Sequence, residues 1–130
     1  MEKYILTLDR EQAKVVSRAC DLLSRLHVGQ IEELRWEFIR IAQNAGYGSK
    51  FVVNNLTDVD ILLRDLKNLV CRFGEQAVGD VPVADNAYNV HQALRYAMAH
   101  HDCPNGGDTV DFHKSIPLGK AEIPICEIKN

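Results

Sequence analysis

Apolar positions in this chain recur at three- and four-residue steps in four stretches and alternate every second residue in two shorter ones. Tyr4, Leu6 and Leu8 alternate with Ile5 and Thr7, the two-residue period of a short strand. From Arg10 to His27 the period changes, and Val15/Val16, Ala19, Leu22/Leu23 and Leu26 fall along one side of an amphipathic helix. Asp9 stands at its N-cap with Gln12 three residues on, the spacing of a capping box, and Gly29 supplies a left-handed residue to close it. A second helix follows at once on the stripe Ile31, Leu34, Phe38, Ile41 and Ala45, with Gly46 as its stop. So short a link predicts an antiparallel helix pair or one kinked helix.

Residues 46–55 read as a turn-rich connection in which Phe51, Val52 and Val53 form a brief extended piece. Thr57 or Asp58 then caps a third helix with the stripe Val59, Leu62, Leu66, Leu69/Val70 and Phe73, ended by Gly74. Residues 77–84, with Gly79 and Pro82, make a loop, and Asp85 caps a fourth helix. Beyond it the turn Pro104-Asn105-Gly106-Gly107-Asp108 leads into a half-buried strand, where Thr109, Asp111 and His113 alternate with Val110 and Phe112. The tail sets Pro117 and Pro124 among Ile123, Ile125 and Ile128, which suits an edge strand or an extended arm. The expected fold is α+β, mainly helical, with about four helices and a small antiparallel sheet from the N- and C-terminal segments, in a single domain over residues 1–130.

Composition narrows the function classes. Of the 130 residues, 46% are hydrophobic and 25% charged, which fits a folded core rather than disorder. A net charge of -3 excludes a broad basic surface for duplex nucleic acid but leaves room for a local cationic pocket. No apolar run nears the roughly 18 residues of a membrane span, and the first residues lack the build of a signal peptide, so a cytoplasmic protein without membrane contact is expected. Cys20, Cys71, Cys103 and Cys126 form no close pairs, so free, buried thiols are expected rather than disulfides or a zinc site.

The fourth helix carries the most suggestive chemistry. Ala87, Val90, Leu94 and Ala97 mark one side, and Tyr88, His91, Gln92 and Arg95 another. Arg95 can hold a phosphate with two parallel hydrogen bonds, Tyr88 can stack on a base, and Gln92 and His91 can bond polar edges or ribose hydroxyls. The same residues also suit an ordinary solvated helix face. On the first helix, Asp21 and Arg25 have the spacing of an i,i+4 ion pair. Alternatively, Asp21 accepts from ribose hydroxyls while Arg18 or Arg25 faces a phosphate. Trp36, off its stripe, suits extra core or a subunit contact better than stacking.

His100 and His101 are adjacent and diverge by about 100° on a helix. Together with Cys103 and His113 they make a poor zinc set, and no metal or cofactor is expected. No Walker loop, nucleophile elbow, dinucleotide fingerprint or acid–base carboxylate pair is present, so the chain reads as a non-enzyme with no catalytic residues. The weakest reading is a hydrolase using His91 with a carboxylate such as Asp111. A helix-turn-helix reading of residues 10–45 fails on Glu32, Glu33 and Glu37.

Three strings, Arg18-Ala-Cys-Asp-Leu-Leu-Ser-Arg-Leu-His-Val-Gly-Gln30, Ala87-Tyr-Asn-Val-His-Gln-Ala-Leu-Arg95 and Gly106-Gly-Asp-Thr-Val-Asp-Phe112, resemble the phage Thoeris anti-defence family. These are sponge proteins that sequester a cyclic ADP-ribose signal made by TIR-domain enzymes, and some also hold cyclic oligonucleotides at a separate site. The resemblance implies binding without turnover in the host cytoplasm, by a homo-oligomer (dimer or higher) with pockets at subunit boundaries. It also implies Asp21 and Arg25 as one wall of the pocket, Tyr88 and Arg95 as aromatic and cationic contacts, and Phe112 and Lys114 closing over the ligand. The alternative is a non-catalytic protein-interaction module or an inhibitor of a host protein.

Overall fold

The computed structural model describes residues 2–70, 81–106, 117 and 119–129. Among the described residues four helices carry the chain, α1 (Arg10–His27), α2 (Leu34–Asn44), α3 (Ser49–Val70) and α4 (Val81–Asp102), with a 3-10 turn, Ile31–Glu33, before α2. They fall into two compact units, residues 1–21 with 85–130 and residues 22–84, so both units draw on α1 and α4.

Helix boundaries follow from capping chemistry. Asp9 Oδ1 accepts from the Gln12 backbone N–H at 2.8 Å while Gln12 Oε1 accepts from the Asp9 N–H at 2.9 Å, the reciprocal capping box that starts α1. At the other end Gly29 takes φ 88°, its N–H bonds the Leu26 carbonyl at 3.1 Å, and the Gln30 N–H reaches back to Arg25 at 2.9 Å. Gly46, φ 86°, closes α2 the same way, with Gly46 to Gln43 at 3.1 Å and Tyr47 to Ala42 at 3.0 Å. Both are Schellman caps, which need a residue in the left-handed region and so favour glycine.

Three sequence expectations are corrected. First, no strand occurs among the described residues, so the small antiparallel sheet is absent from them and the fold is mainly helical. Tyr4, Ile5 and Leu6 are 87%, 97% and 73% exposed, and Ile125 is likewise exposed. A two-residue period makes a strand only where a neighbouring backbone accepts its N–H groups. The strand expected at Thr109–His113 lies outside the described residues, as do Gly74 and Phe73.

Second, α3 begins at Ser49, not at Thr57, and absorbs Phe51, Val52 and Val53. The stripe that faces inward is Val52, Leu56, Val59 and Leu63, a helical series that starts one full turn and more before the expected cap. Asn55 is accommodated because its Nδ2 donates to the Phe51 carbonyl at 2.8 Å, and Tyr47 stacks on Phe51 with ring centres 4.2 Å apart. Third, α4 begins at Val81, with Pro82 in its first turn, where the missing N–H has no helical partner to lose. Asp85 is therefore an internal residue, and residues 81–84 of the expected loop are helical, while 77–80 lie outside the described residues.

The buried side of α1 also differs. Ser17 and Ser24 are buried and Ala13 and Cys20 half-buried, whereas Val15, Ala19 and Leu23 face solvent. Val16, Leu22 and Leu26 of the expected stripe are half-buried, so small side chains and leucines share the covered side of this helix. In the 22–84 unit, Ile31, Ala42 and Val52 form the core under α2 and α3. Ion pairs tie the rim of that unit together: Lys67 Nζ to both Glu32 oxygens at 3.0 Å, and Arg35 Nε to Asp60 Oδ1 at 3.2 Å.

Candidate functional site

In the unit formed by residues 1–21 and 85–130, α1 and α4 run antiparallel, as two contacts fix. Arg10 at the start of α1 grips Asp102 at the end of α4 through two parallel bonds, Nη1 to Oδ1 at 2.9 Å and Nη2 to Oδ2 at 2.5 Å. Ser17 meets His91 farther along. The Arg10 guanidinium's hydrogen bond holds the Asp102 carboxyl below the usual carboxylate range, and Asp102 in turn raises Arg10.

His91 is the pivot of this wall. Its side chain is 14% exposed, Nδ1 lies 2.8 Å from Ser17 Oγ and 3.0 Å from the Ser17 carbonyl oxygen, and Nε2 lies 3.9 Å from Asp21 Oδ1. A carbonyl oxygen only accepts, so Nδ1 carries the proton. His91 thus sits between the two helices rather than on a solvated face, bonded across to Ser17. Ser17 is itself buried, and its hydroxyl shares Nδ1 with its own backbone carbonyl, an arrangement that suits a structural hydrogen bond.

One turn before His91, the half-buried Tyr88 hydroxyl accepts from Gln92 Nε2 at 2.6 Å, and its ring is tilted 55° to the His91 ring at 6.1 Å. Arg95 is exposed one turn beyond His91, level with the Ala13–Lys14 turn of α1 in the antiparallel register, and Arg18 is exposed beside Ser17. The structure therefore brings Asp21, His91, Tyr88 and Gln92 into one half-buried polar cluster with two exposed guanidiniums on the same pair of helices. Arg25 belongs to the 22–84 unit, where it reaches Gln30 Oε1 at 3.1 Å and Glu33 Oε1 at 3.7 Å. Phe112 and Lys114 lie outside the described residues.

Two residues of this wall escaped sequence reasoning. Ser17 carried a signal, since Ala13, Ser17, Cys20 and Ser24 repeat small side chains at helical spacing. Asn89 carried none: it is fully buried at 0% exposure and donates Nδ2 to the Ala121 carbonyl at 3.0 Å, anchoring the C-terminal segment on α4. The same segment passes close at Gly119, φ 62°, where any β-carbon would overlap the Asp85 carboxylate.

An open groove of about 440 Å³ in the 22–84 unit is lined by Glu32, Glu33, Arg35, Trp36, Asp60, Leu63, Arg64 and Lys67. Trp36 is 50% exposed, with the Arg35 guanidinium 5.5 Å from its ring centre. The groove's cations Arg35 and Lys67 already face Asp60 and Glu32, so it reads as the ion-paired seam between α3 and the preceding turn. Among the described residues no group of three or more histidines, cysteines and carboxylates could hold a metal ion, and no helix is long and apolar enough to cross a membrane. His100 instead lies 4.2 Å from the Tyr96 ring. Cys20 and Cys126 are half-buried free thiols, pushed up in pKa by that burial, and Cys103 is exposed rather than buried. No protein-family model, no curated protein and no solved structure matches the chain.

Proposed function

We propose that this protein is a phage anti-defence sponge that binds and sequesters a cyclic ADP-ribose isomer without cleaving it, as a homo-oligomer in the host cytoplasm. The observation that carries the reading is the meeting of the α1 and α4 polar faces in one chain, at Ser17, Asp21 and His91. Such a ligand presents a pyrophosphate, ribose hydroxyls and a purine. Arg18 and Arg95 suit the phosphates, Asp21 and Gln92 the hydroxyls and polar base edges, and Tyr88 the purine face, while His91 holds the two helices at the required spacing. Partial burial strengthens the Asp21 contact, and a sponge gains from slow release.

Calorimetry with cyclic ADP-ribose isomers tests this, beside Arg95→Ala and Tyr88→Ala. The expected result is binding by the native chain, weakened about tenfold or more by each substitution. Equal affinity in all three proteins defeats the assignment. A second reading, a protein-interaction module, is favoured by a separate feature: the leucines that α3 leaves exposed.

A further inference from the structure

The leucines of α3 divide into two sets. Val52, Leu56, Val59 and Leu63 turn inward, toward α2 and the turn before it. Leu62, Leu66 and Leu69 stand 68%, 43% and 52% exposed, at the four- and three-residue steps of a coiled-coil seam. Among the described residues this second stripe stands outside the core formed by Ile31, Ala42 and Val52, and contiguous exposed leucines mark contact surfaces.

The charges of α3 are sorted about the same stripe. At 100° per residue, Asp58 and Asp65 lie 40° and 60° to one side of Leu62, whereas Lys50, Arg64 and Lys67 all lie more than 90° from it. The outward half of the helix therefore carries Asp58 and Asp65, and the nearby cation, Arg64, reaches Asp65 only at 4.0 Å in an exposed pair that a partner's cation can displace. Lys67 is engaged on the other half, with Glu32. A second copy paired antiparallel through this seam would set Asp58 and Asp65 against their own counterparts, which is repulsive. Anionic lipid would meet the same repulsion.

We propose that the Leu62–Leu66–Leu69 face of α3 docks an amphipathic helix of a protein partner. That helix presents leucines to the seam and lysines or arginines seven residues apart to Asp58 and Asp65. The proposal does not rest on the nucleotide reading, whose residues belong to the other unit, so either can fail alone.

The test uses the full chain and a fluorescein-labelled helical peptide with leucine at its a and d positions and lysine at its e and g positions. A peptide with glutamate in place of every lysine is the control. Anisotropy should show binding of the lysine peptide, at least about tenfold tighter than the glutamate one. Leu62→Glu with Leu66→Glu should lower that affinity by about tenfold or more, with the helical circular-dichroism signal retained because both side chains face solvent. Asp58→Lys with Asp65→Lys should reverse the preference and bind the glutamate peptide. Equal binding to the native chain and the leucine variant would reduce the effect to general charge attraction and overturn the proposal. So would self-association, in sedimentation, that the leucine substitutions abolish, which would make a second copy the occupant. Flotation of the native chain with phosphatidylglycerol vesicles, lost in the leucine variant, would overturn it in favour of a lipid surface.

Discussion

Asn89 offers a quantitative test of how the C-terminal segment is held on α4. It is fully buried and its Nδ2 donates to the Ala121 carbonyl 32 residues away. Asn89→Leu keeps the approximate volume but removes the donor and strands its partners, a cost of about 1–3 kcal/mol. With about 2.1 cal/mol/K of unfolding entropy per residue, 2 kcal/mol in a chain of this length is a drop of roughly 7 °C in Tm.

Asn89→Asp goes further, because it turns a donor into an oxygen facing a carbonyl in a site without solvent. The buried carboxyl resists ionisation, so its folded pKa rises above the ordinary value of about 3.9. The penalty is then smallest below that value and grows by about 1.4 kcal/mol per pH unit until the raised folded value is passed. Thermal melts of native, Asn89→Leu and Asn89→Asp chains at pH 4 and pH 7.5 measure this. The leucine variant should show the same loss at both values, and the aspartate variant a loss that deepens at the higher pH. Hydrogen exchange should rise at residues 120–123 in both variants. An Asn89→Asp chain as stable as the native one at pH 7.5 would refute the buried-donor argument.

Other expectations follow from the caps, the close approach and the ion pairs. Asp9→Ala removes one side of the capping box and should cost about 1 kcal/mol, read as a fall of about 4 °C in Tm with faster exchange in the first turn of α1. Gly119→Ala should destabilise through overlap with Asp85, and Asp85→Ala should recover part of the loss, leaving the left-handed backbone strain of roughly 1 kcal/mol or more. Glu32 is held below the ordinary glutamate value, first by a bond to its own backbone N–H and then by Lys67. Its contribution is complete above the unfolded value near 4.3 and is lost as pH falls through the lowered folded one. Being solvent-exposed, it is small, and Lys67→Ala should flatten the change of urea midpoint between pH 5 and pH 3.

Much of the helical fold is legible in the sequence because caps are local chemistry. Asp9 with Gln12, Gly29 and Gly46 act within six residues of chain, and the structure uses each for the purpose its spacing indicates. The starts of α3 and α4 were hidden by residues with a second common use. The run Phe51-Val52-Val53 has strand propensity and Pro82 usually marks a loop, but tertiary packing and first-turn geometry override both. The terminal sheet failed for a related reason: alternation at Tyr4–Leu8 states a preference, whereas a strand requires a partner. Of the candidate site, the α4 cluster was legible as residue types. His91's place between helices was not, because it depends on a serine 74 positions away.

The central claim is tethering of an intact cyclic nucleotide. It is tested most directly by incubating the native protein with a cyclic ADP-ribose isomer, removing free ligand by gel filtration, heating the complex and identifying the released compound by mass spectrometry. The account predicts recovery of the unchanged isomer in stoichiometric amount, and a sharp fall in recovery for Arg95→Ala. Recovery of a ring-opened or hydrolysed product, or of no nucleotide from the native protein, would contradict it.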